Sequence, residues 1–198
     1  TWGGADHLPT DRAKHAHASH KGSFGDVAIL GGQGPQIDGA GMVGAAVLAA
    51  RAALHGGAGR VFVGLLDGGA NHWDPQAPEL MVRRPDRLTE PEFLAQATVV
   101  AGCGGGQAVA EYLEPLLRLA KRLVLDADAL NQLAGTPALS KLIKTRRHNG
   151  QETVITPHPL EAARLLGATT SEVMADRLRS ATALAHELGV VCVLKGAG

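Results

Sequence analysis

Short stretches of aliphatic and β-branched residues recur along the chain from residue 26: DVAIL (26–30), RVFVGLL (60–66), ATVVA (97–101), RLVLD (122–126), ETVIT (152–156) and VVCVL (190–194). They are apolar runs rather than alternating patterns, as expected of strands covered on both faces. The longer segments between them carry helical spacing. This succession predicts βα units around a mostly parallel central sheet, an α/β fold with helices on both faces.

The helical segments differ in character. GMVGAAVLAARAALHGG (41–57) is apolar on nearly every side except Arg51, which predicts a buried helix ended by Gly56-Gly57. Residues 107–120 predict a second helix that Pro115 starts, kinks or divides. Residues 171–188 predict one amphipathic helix, with Met174, Leu178, Ala181, Ala185 and Leu188 on its apolar stripe and Gly189 as terminator. KLIKTRRHNG (141–150) reads as a solvated basic helix end and turn. Residues 1–20 have no apolar period and read as an N-terminal arm or linker, leaving 21–198 as one domain.

Charge narrows the function classes. Nineteen basic and nineteen acidic side chains give a formal net charge of zero, with no general attraction for nucleic acid or anionic lipid. Cys103 and Cys192 lie in or beside apolar runs, which predicts reduced, buried thiols in a cytoplasmic setting and supplies no zinc framework. No run approaches the roughly 18 apolar residues that span a bilayer. His15, His17 and His20 lack carboxylates or cysteines at ligand spacing, so a solvated linker is the better reading of them than a metal site. The first residue is Thr1 and the chain stops on a lysine-glycine turn, so a segment of a longer protein is expected.

Chemistry concentrates where the runs end. Gly31-Gly32, Gly102-Cys103-Gly104-Gly105-Gly106, Asp126-Ala127-Asp128, Thr156-Pro157-His158-Pro159 and Lys195-Gly196 each follow a predicted strand. In an open parallel sheet such ends share one edge, where ligands bind. Backbone approach is the expected mode, because 26 glycines stand against only 3% aromatic residues. Gly41 to Ala45 and Gly104 to Gly106 each precede a predicted helix and can turn N–H groups and a helix dipole toward a phosphate. Neither stretch matches the spaced G-x-G-x-x-G pattern convincingly, and no G-x-x-x-x-G-K-[ST] is present, against a Rossmann dehydrogenase or a P-loop enzyme. His158, fixed between two prolines, suits either ligand contact or a helix cap. Asp126 and Asp128 suit magnesium held through water or a ribose, and Asp128 equally suits a cap on the helix that follows.

In order, HKGSFG (20–25), GMVGAAVLAARAALHGGAG (41–59), VVAGCGGGQ (99–107), VLDADALN (124–131), TPHPLEAARLLG (156–167) and VLKGAG (193–198) together resemble the NAD(P)H-hydrate dehydratases of the ribokinase-like superfamily. The resemblance implies a ribokinase-like lyase that repairs hydrated NADH or NADPH (NADHX, NADPHX), using ADP or ATP with magnesium (Mg2+) to phosphorylate the ring hydroxyl before elimination. It implies hydrate contacts from Ala45, Gly104, Gly106 and His158, and a nucleotide-binding segment opened by Lys195, Gly196, Ala197 and Gly198. It also implies a homo-oligomer, and an NAD(P)H-hydrate epimerase as fused or separate partner. The family's G-P-G-L-G turn is here Gly102-Cys103-Gly104-Gly105-Gly106, and Leu160 stands where TPHPGE has glycine. The catalytic aspartate, in the family's G-[TS]-G-D motif, is expected beyond residue 198. A ribokinase-like kinase for a small hydroxylated substrate and a non-catalytic nucleotide-binding module are the competing readings.

Overall fold

The computed structural model describes residues 20–37, 39–70 and 74–196. The predicted arm apart from His20, and with it His15 and His17, lies outside the described residues, as do Ala197 and Gly198. In chain order the elements are β1 (Asp26–Gly31), α1 (Val43–His55), β2 (Arg60–Leu65), β3 (Met81–Val82), α2 (Pro91–Leu94), β4 (Thr98–Ala101), α3 (Ala110–Leu119), β5 (Arg122–Leu125), α4 (Asp128–Gly135), α5 (Pro137–Arg146), β6 (Glu152–Ile155), α6 (Pro159–Leu166), α7 (Thr170–Ala175), α8 (Arg177–Leu188) and β7 (Val191–Cys192). The strands form one sheet in the order β3-β2-β1-β4-β5-β6-β7, with every pairing parallel.

Two apolar layers sandwich the sheet. On one face Leu30, Phe62, Val99, Leu123, Leu125 and Ile155 pack against leucines of α2 to α5 and α8, with Ala162 of α6 and Val173 of α7. On the other face α1 lays Ala46 and Ala50 over Ile29, Val61 and Val63. Alanine at both contact points lets the helix axis sit close to the strands. That second layer does not reach the whole sheet. Register aligns Val63, Ile29, Val100, Val124, Val154 and Val191 in one row. Val63 and Ile29 are buried under α1, Val100, Val124 and Val154 are half-buried, and Val191 is 60% exposed.

Several expectations are corrected. β7 is an edge strand of two residues, not one covered on both faces, although Val193 N–H still donates to Ile155 O and Lys195 N–H to Pro157 O. The short β3 follows an Ala-Pro-Glu-Leu segment whose pattern predicts no strand; it forms because Met81 and Val82 pair with Phe62 and Val63. α1 is buried on one side only, with Leu48 67% exposed, because only one face meets the sheet. Pro115 lies inside α3, neither starting nor dividing it.

The helix expected over 171–188 is two helices. Asp176 leaves helical geometry (φ −147°, ψ 87°) and its carboxylate accepts the Arg179 N–H at 2.9 Å, starting α8. The break re-phases the apolar stripe, so Val173, Leu184 and Leu188 are buried while Met174 and Leu178 face outward. The basic segment 141–150 is not wholly solvated either: Ile143 and Arg146 are buried. The Arg146 guanidinium donates to Thr153 Oγ1, to the carbonyls of Leu116, Leu117 and Ala120 at the end of α3, and to Glu152 O.

Candidate functional site

All five glycine-rich or polar segments that follow predicted strands stand on one edge of the sheet, because every strand pairing is parallel. The loops after β1 and β4 are bound to each other: Gly32 N–H donates to Cys103 O at 3.0 Å and Gln33 N–H to Gly104 O at 2.6 Å. Gln33, 2% exposed, also accepts the Ala108 N–H on its side-chain oxygen at 3.1 Å, and its carbonyl accepts the Met42 N–H at 2.9 Å. One buried residue thus ties together the β1 loop, the β4 turn and the start of α1 through its main chain and its side chain. Sequence reasoning passed over Gln33; a polar residue directly after a strand-end glycine pair was the available signal.

The β4 turn needs its glycines. A Cβ at Gly102 would lie 2.1 Å from Asp126 O, one at Gly104 2.5 Å from Met42 O, and one at Gly106 2.2 Å from Gln33 Oε1. All three also have positive φ, which side-chain-bearing residues rarely adopt. Ala45 sits at the start of α1 beside Gly104, so these two predicted contacts adjoin. The Ala45 N–H is taken by Met42 O at 3.1 Å.

At the β5 end, Ala127 is the non-glycine residue with positive φ (46°) among the described residues. Such a conformation costs about 1–3 kcal/mol and persists only where the surroundings impose it. Its effect is to separate the two aspartates. Asp128 Oδ2 turns back to accept the Gly106 N–H at 2.8 Å, and α4 has no side-chain cap; the capping role considered for Asp128 is therefore replaced by a brace on the β4 turn. Asp126 turns the other way. Its Oδ1 receives the Lys195 ammonium at 2.6 Å and the Thr156 hydroxyl at 2.8 Å. Thus β5, β6 and the segment after β7 converge on one carboxylate.

Burial opposes ionisation of Asp126, but the hydrogen bonds from Lys195 and Thr156 and the lysine's charge outweigh it and hold the pKa below the ordinary aspartate value. The Cys103 thiol points at Asp126 Oδ2 from 3.8 Å. Burial, and then the adjacent carboxylate, push that thiol up to about 11. It is a neutral group at physiological pH, not a nucleophile.

His158 is the N-cap of α6. Its Nδ1 accepts the N–H groups of Leu160 at 3.1 Å and Glu161 at 3.3 Å, its Nε2 lies 3.0 Å from Glu161 Oε1, and Glu161 Oε2 accepts the His158 N–H at 2.8 Å. The side chain remains 45% exposed, so capping leaves a ring face open at the edge. Gly196 lies against the Arg177 guanidinium. Among the described residues no group of three His, Cys, Asp or Glu could hold a metal, and both aspartates at the edge are engaged by protein donors. These residues do not form a ready-made magnesium cage. Among the described residues no helix is long and apolar enough to cross a membrane.

Comparison with known proteins gives the family. The profile of the NAD(P)H-hydrate dehydratase family matches residues 28–198. The chain belongs to that family. It is 38% identical over 188 residues to the ADP-dependent (S)-NAD(P)H-hydrate dehydratase of Neisseria meningitidis, covering 91% of this chain and 59% of that protein. It is 40% identical over 183 residues to the bifunctional NAD(P)H-hydrate repair enzyme Nnr of Escherichia coli, covering 91% of this chain and 32% of that protein. Among solved structures it is similar to the ADP/ATP-dependent NAD(P)H-hydrate dehydratase of Bacillus subtilis co-crystallised with ATP and magnesium, with a TM-score of 0.68, 26% identity, and coverage of 92% of this chain and 62% of that one. A ribokinase-like superfamily protein of Enterococcus faecalis shares the fold, with a TM-score of 0.67 at 22% identity over 92% of this chain and 61% of that one. The chain thus spans three-fifths or less of the length of the curated relatives named here.

Proposed function

We propose that this edge binds the hydrate of NADH or NADPH and presents its ring hydroxyl to the terminal phosphoryl group of ADP, as in the dehydratases it resembles. The observation that carries the reading is the convergence of Lys195 and Thr156 on Asp126 beside the braced glycine turn. In the reaction so assigned, the hydroxyl gives its proton to a general base, the family's aspartate expected beyond residue 198, as its oxygen attacks the terminal phosphorus of ADP and AMP leaves. The C–O bond of the phosphate ester then breaks with loss of a neighbouring ring proton, restoring the double bond and releasing phosphate.

The roles of the chain's own residues follow from the geometry. Glycines 102, 104 and 106 let the β4 turn close against Asp126, Met42 and Gln33, and the turn so fixed is the floor on which the ring is placed. Lys195, 43% exposed, is held by Asp126 at the mouth of the nucleotide segment. It exchanges that carboxylate for a phosphate oxygen when the nucleotide enters, meeting the charge that develops on transfer. Asp126, already bonded to Lys195 and Thr156, aims the lysine and is not itself the proton acceptor. His158 contacts the hydrate through the ring face its cap leaves open. Magnesium would be held by the phosphates of the nucleotide rather than by Asp126 or Asp128, both engaged by protein donors, and would neutralise charge on the transferred group.

The test is recovery of NADH absorbance from the hydrate by the full-length gene product with ADP and magnesium, alongside ligand-induced thermal shifts of residues 1–198. ADP-dependent recovery supports the reading. Phosphoryl transfer to a small hydroxylated compound, with the hydrate untouched, would replace it with a kinase.

A further inference from the structure

Gln33 carries a donor that the fold does not use. The residue is 2% exposed; its N–H donates to Gly104 O at 2.6 Å, its carbonyl accepts the Met42 N–H at 2.9 Å, and its Oε1 accepts the Ala108 N–H at 3.1 Å. Because the oxygen takes the Ala108 N–H, the amide orientation is set and Nε2 forms the other end. Among the described residues Nε2 has no hydrogen-bond partner, and it is not sealed from solvent. A Cβ at Gly106 would stand 2.6 Å from it, so this donor lies directly beside the β4 turn.

Asp128 adjoins the same glycine. Its Oδ2 accepts the Gly106 N–H at 2.8 Å, while its Oδ1 accepts nothing among the described residues. Sheet order places Gln33 after β1, Gly106 after β4 and Asp128 after β5, on three neighbouring strands. Gly106 is thus flanked by an open donor on one side and an open acceptor on the other, each side chain fixed by a hydrogen bond through its second polar atom.

A primary carboxamide matches that pair, because it accepts through oxygen and donates through nitrogen in one planar group. A phosphate offers acceptors only and would meet the Asp128 carboxylate charge to charge. The ring hydroxyl is ruled out by position, given the proposed reading on which this step rests. That hydroxyl is turned toward ADP at Lys195, beyond β7, and in the hydrated nicotinamide ring the carbons bearing the hydroxyl and the carboxamide stand opposite each other. With the hydroxyl toward β7, the carboxamide falls on the β1 side of the ring. We propose that Gln33 and Asp128 read the carboxamide of the substrate ring over Gly106, Gln33 Nε2 donating to its oxygen and Asp128 Oδ1 accepting from its nitrogen. They are specificity-determining residues: a ring carrying a carboxylate at that place would still meet Gln33 but would be set against the Asp128 charge.

The experiment is calorimetric titration of the full-length gene product with NADH, the product form of the substrate, and with the reduced dinucleotide whose ring carries a carboxylate in place of the carboxamide. The wild type is expected to bind NADH about tenfold or more tightly than the acid form. Gln33→Glu keeps an oxygen for the Ala108 N–H and removes the donor, and is expected to weaken NADH by about tenfold. Asp128→Asn keeps an oxygen for the Gly106 N–H and replaces the open acceptor by a donor, so it is expected to narrow or reverse the preference for the carboxamide; a merely structural role would weaken both ligands alike and leave their ratio unchanged. Equal wild-type affinity for the two dinucleotides, no saturable NADH binding, wild-type NADH affinity in Gln33→Glu, or an unchanged ratio in Asp128→Asn would each overturn the assignment. Failure of the catalytic reading is distinguishable: the hydrate would not be turned over with ADP, yet the preference for the carboxamide and its response to Asp128→Asn would persist.

Discussion

Replacing Arg146 by methionine keeps an unbranched side chain of similar reach in the same slot and removes every donor. The consequence is set by what each acceptor has left. Leu116 O retains the Ala120 N–H of its own helix end, and Ala120 O retains the Gln151 side-chain amide. Leu117 O and Thr153 Oγ1, both in buried residues, have Arg146 as their donor at 2.8 and 2.7 Å. A buried acceptor stranded in this way costs about 1–3 kcal/mol, so two set the loss at about 2–6 kcal/mol. Burial of the guanidinium, which pushes its pKa down to about 10, is an opposing cost that the substitution removes. The expectation is therefore in the lower half, about 3 kcal/mol. Arg146→Lys, with one compact ammonium in place of a five-donor fork, should fall between. The assay is urea unfolding followed by circular dichroism, read as a fall in midpoint at constant slope. A loss below about 1 kcal/mol for methionine would refute the reasoning, because it would mean that relaxation or water satisfies the end of α3 without the arginine.

Gly106→Ala places a Cβ 2.2 Å from Gln33 Oε1 at φ 53°; it should cost about 1–3 kcal/mol and weaken NADH binding, and an unchanged melting temperature and affinity would contradict the close fit of the two loops. Asp126 has a lowered folded-state pKa, so its contribution to stability is present above the unfolded value of about 3.9 and is lost as pH falls through the folded value. Asp126→Asn should flatten that acid limb of the stability profile, and an identical limb in both proteins would rule the pair out as its cause. Cys103 and Cys192, each pushed up to about 11 mainly by burial, should resist iodoacetamide at pH 8, where roughly one thiol in a thousand is ionised; alkylation as fast as in denaturant would show the thiols to be accessible and unperturbed. His158→Ala should lose about 1 kcal/mol of α6 capping and weaken the hydrate more than ADP; equal weakening of both ligands would leave the cap as its whole role.

Sequence alone pointed to most of the strands, since a run such as RVFVGLL, apolar at nearly every position and alternating with helical segments, suits a strand covered on both faces of a parallel sheet, and parallel pairing then carries every strand end to one edge. The glycines of the β4 turn were legible for the same local reason: a backbone that must turn with positive φ selects them. What only the tertiary structure decided are features in which two distant segments compete for one group. Asp128 could cap its own helix, yet the positive φ of Ala127 turns it to Gly106. Arg146 sits in a basic, apparently solvated run, yet the unsatisfied carbonyls at the end of α3 draw it inside. Asp176 lies within an unbroken helical period, yet its own carboxylate starts a new helix there and re-phases which leucines are buried. Asp126 reads as one acid of a pair until the chain after β7 returns Lys195 to it from 69 residues away. Local pattern reports which faces a segment would bury, but hydrogen-bond partners are assigned only when the sheet brings the other segments alongside.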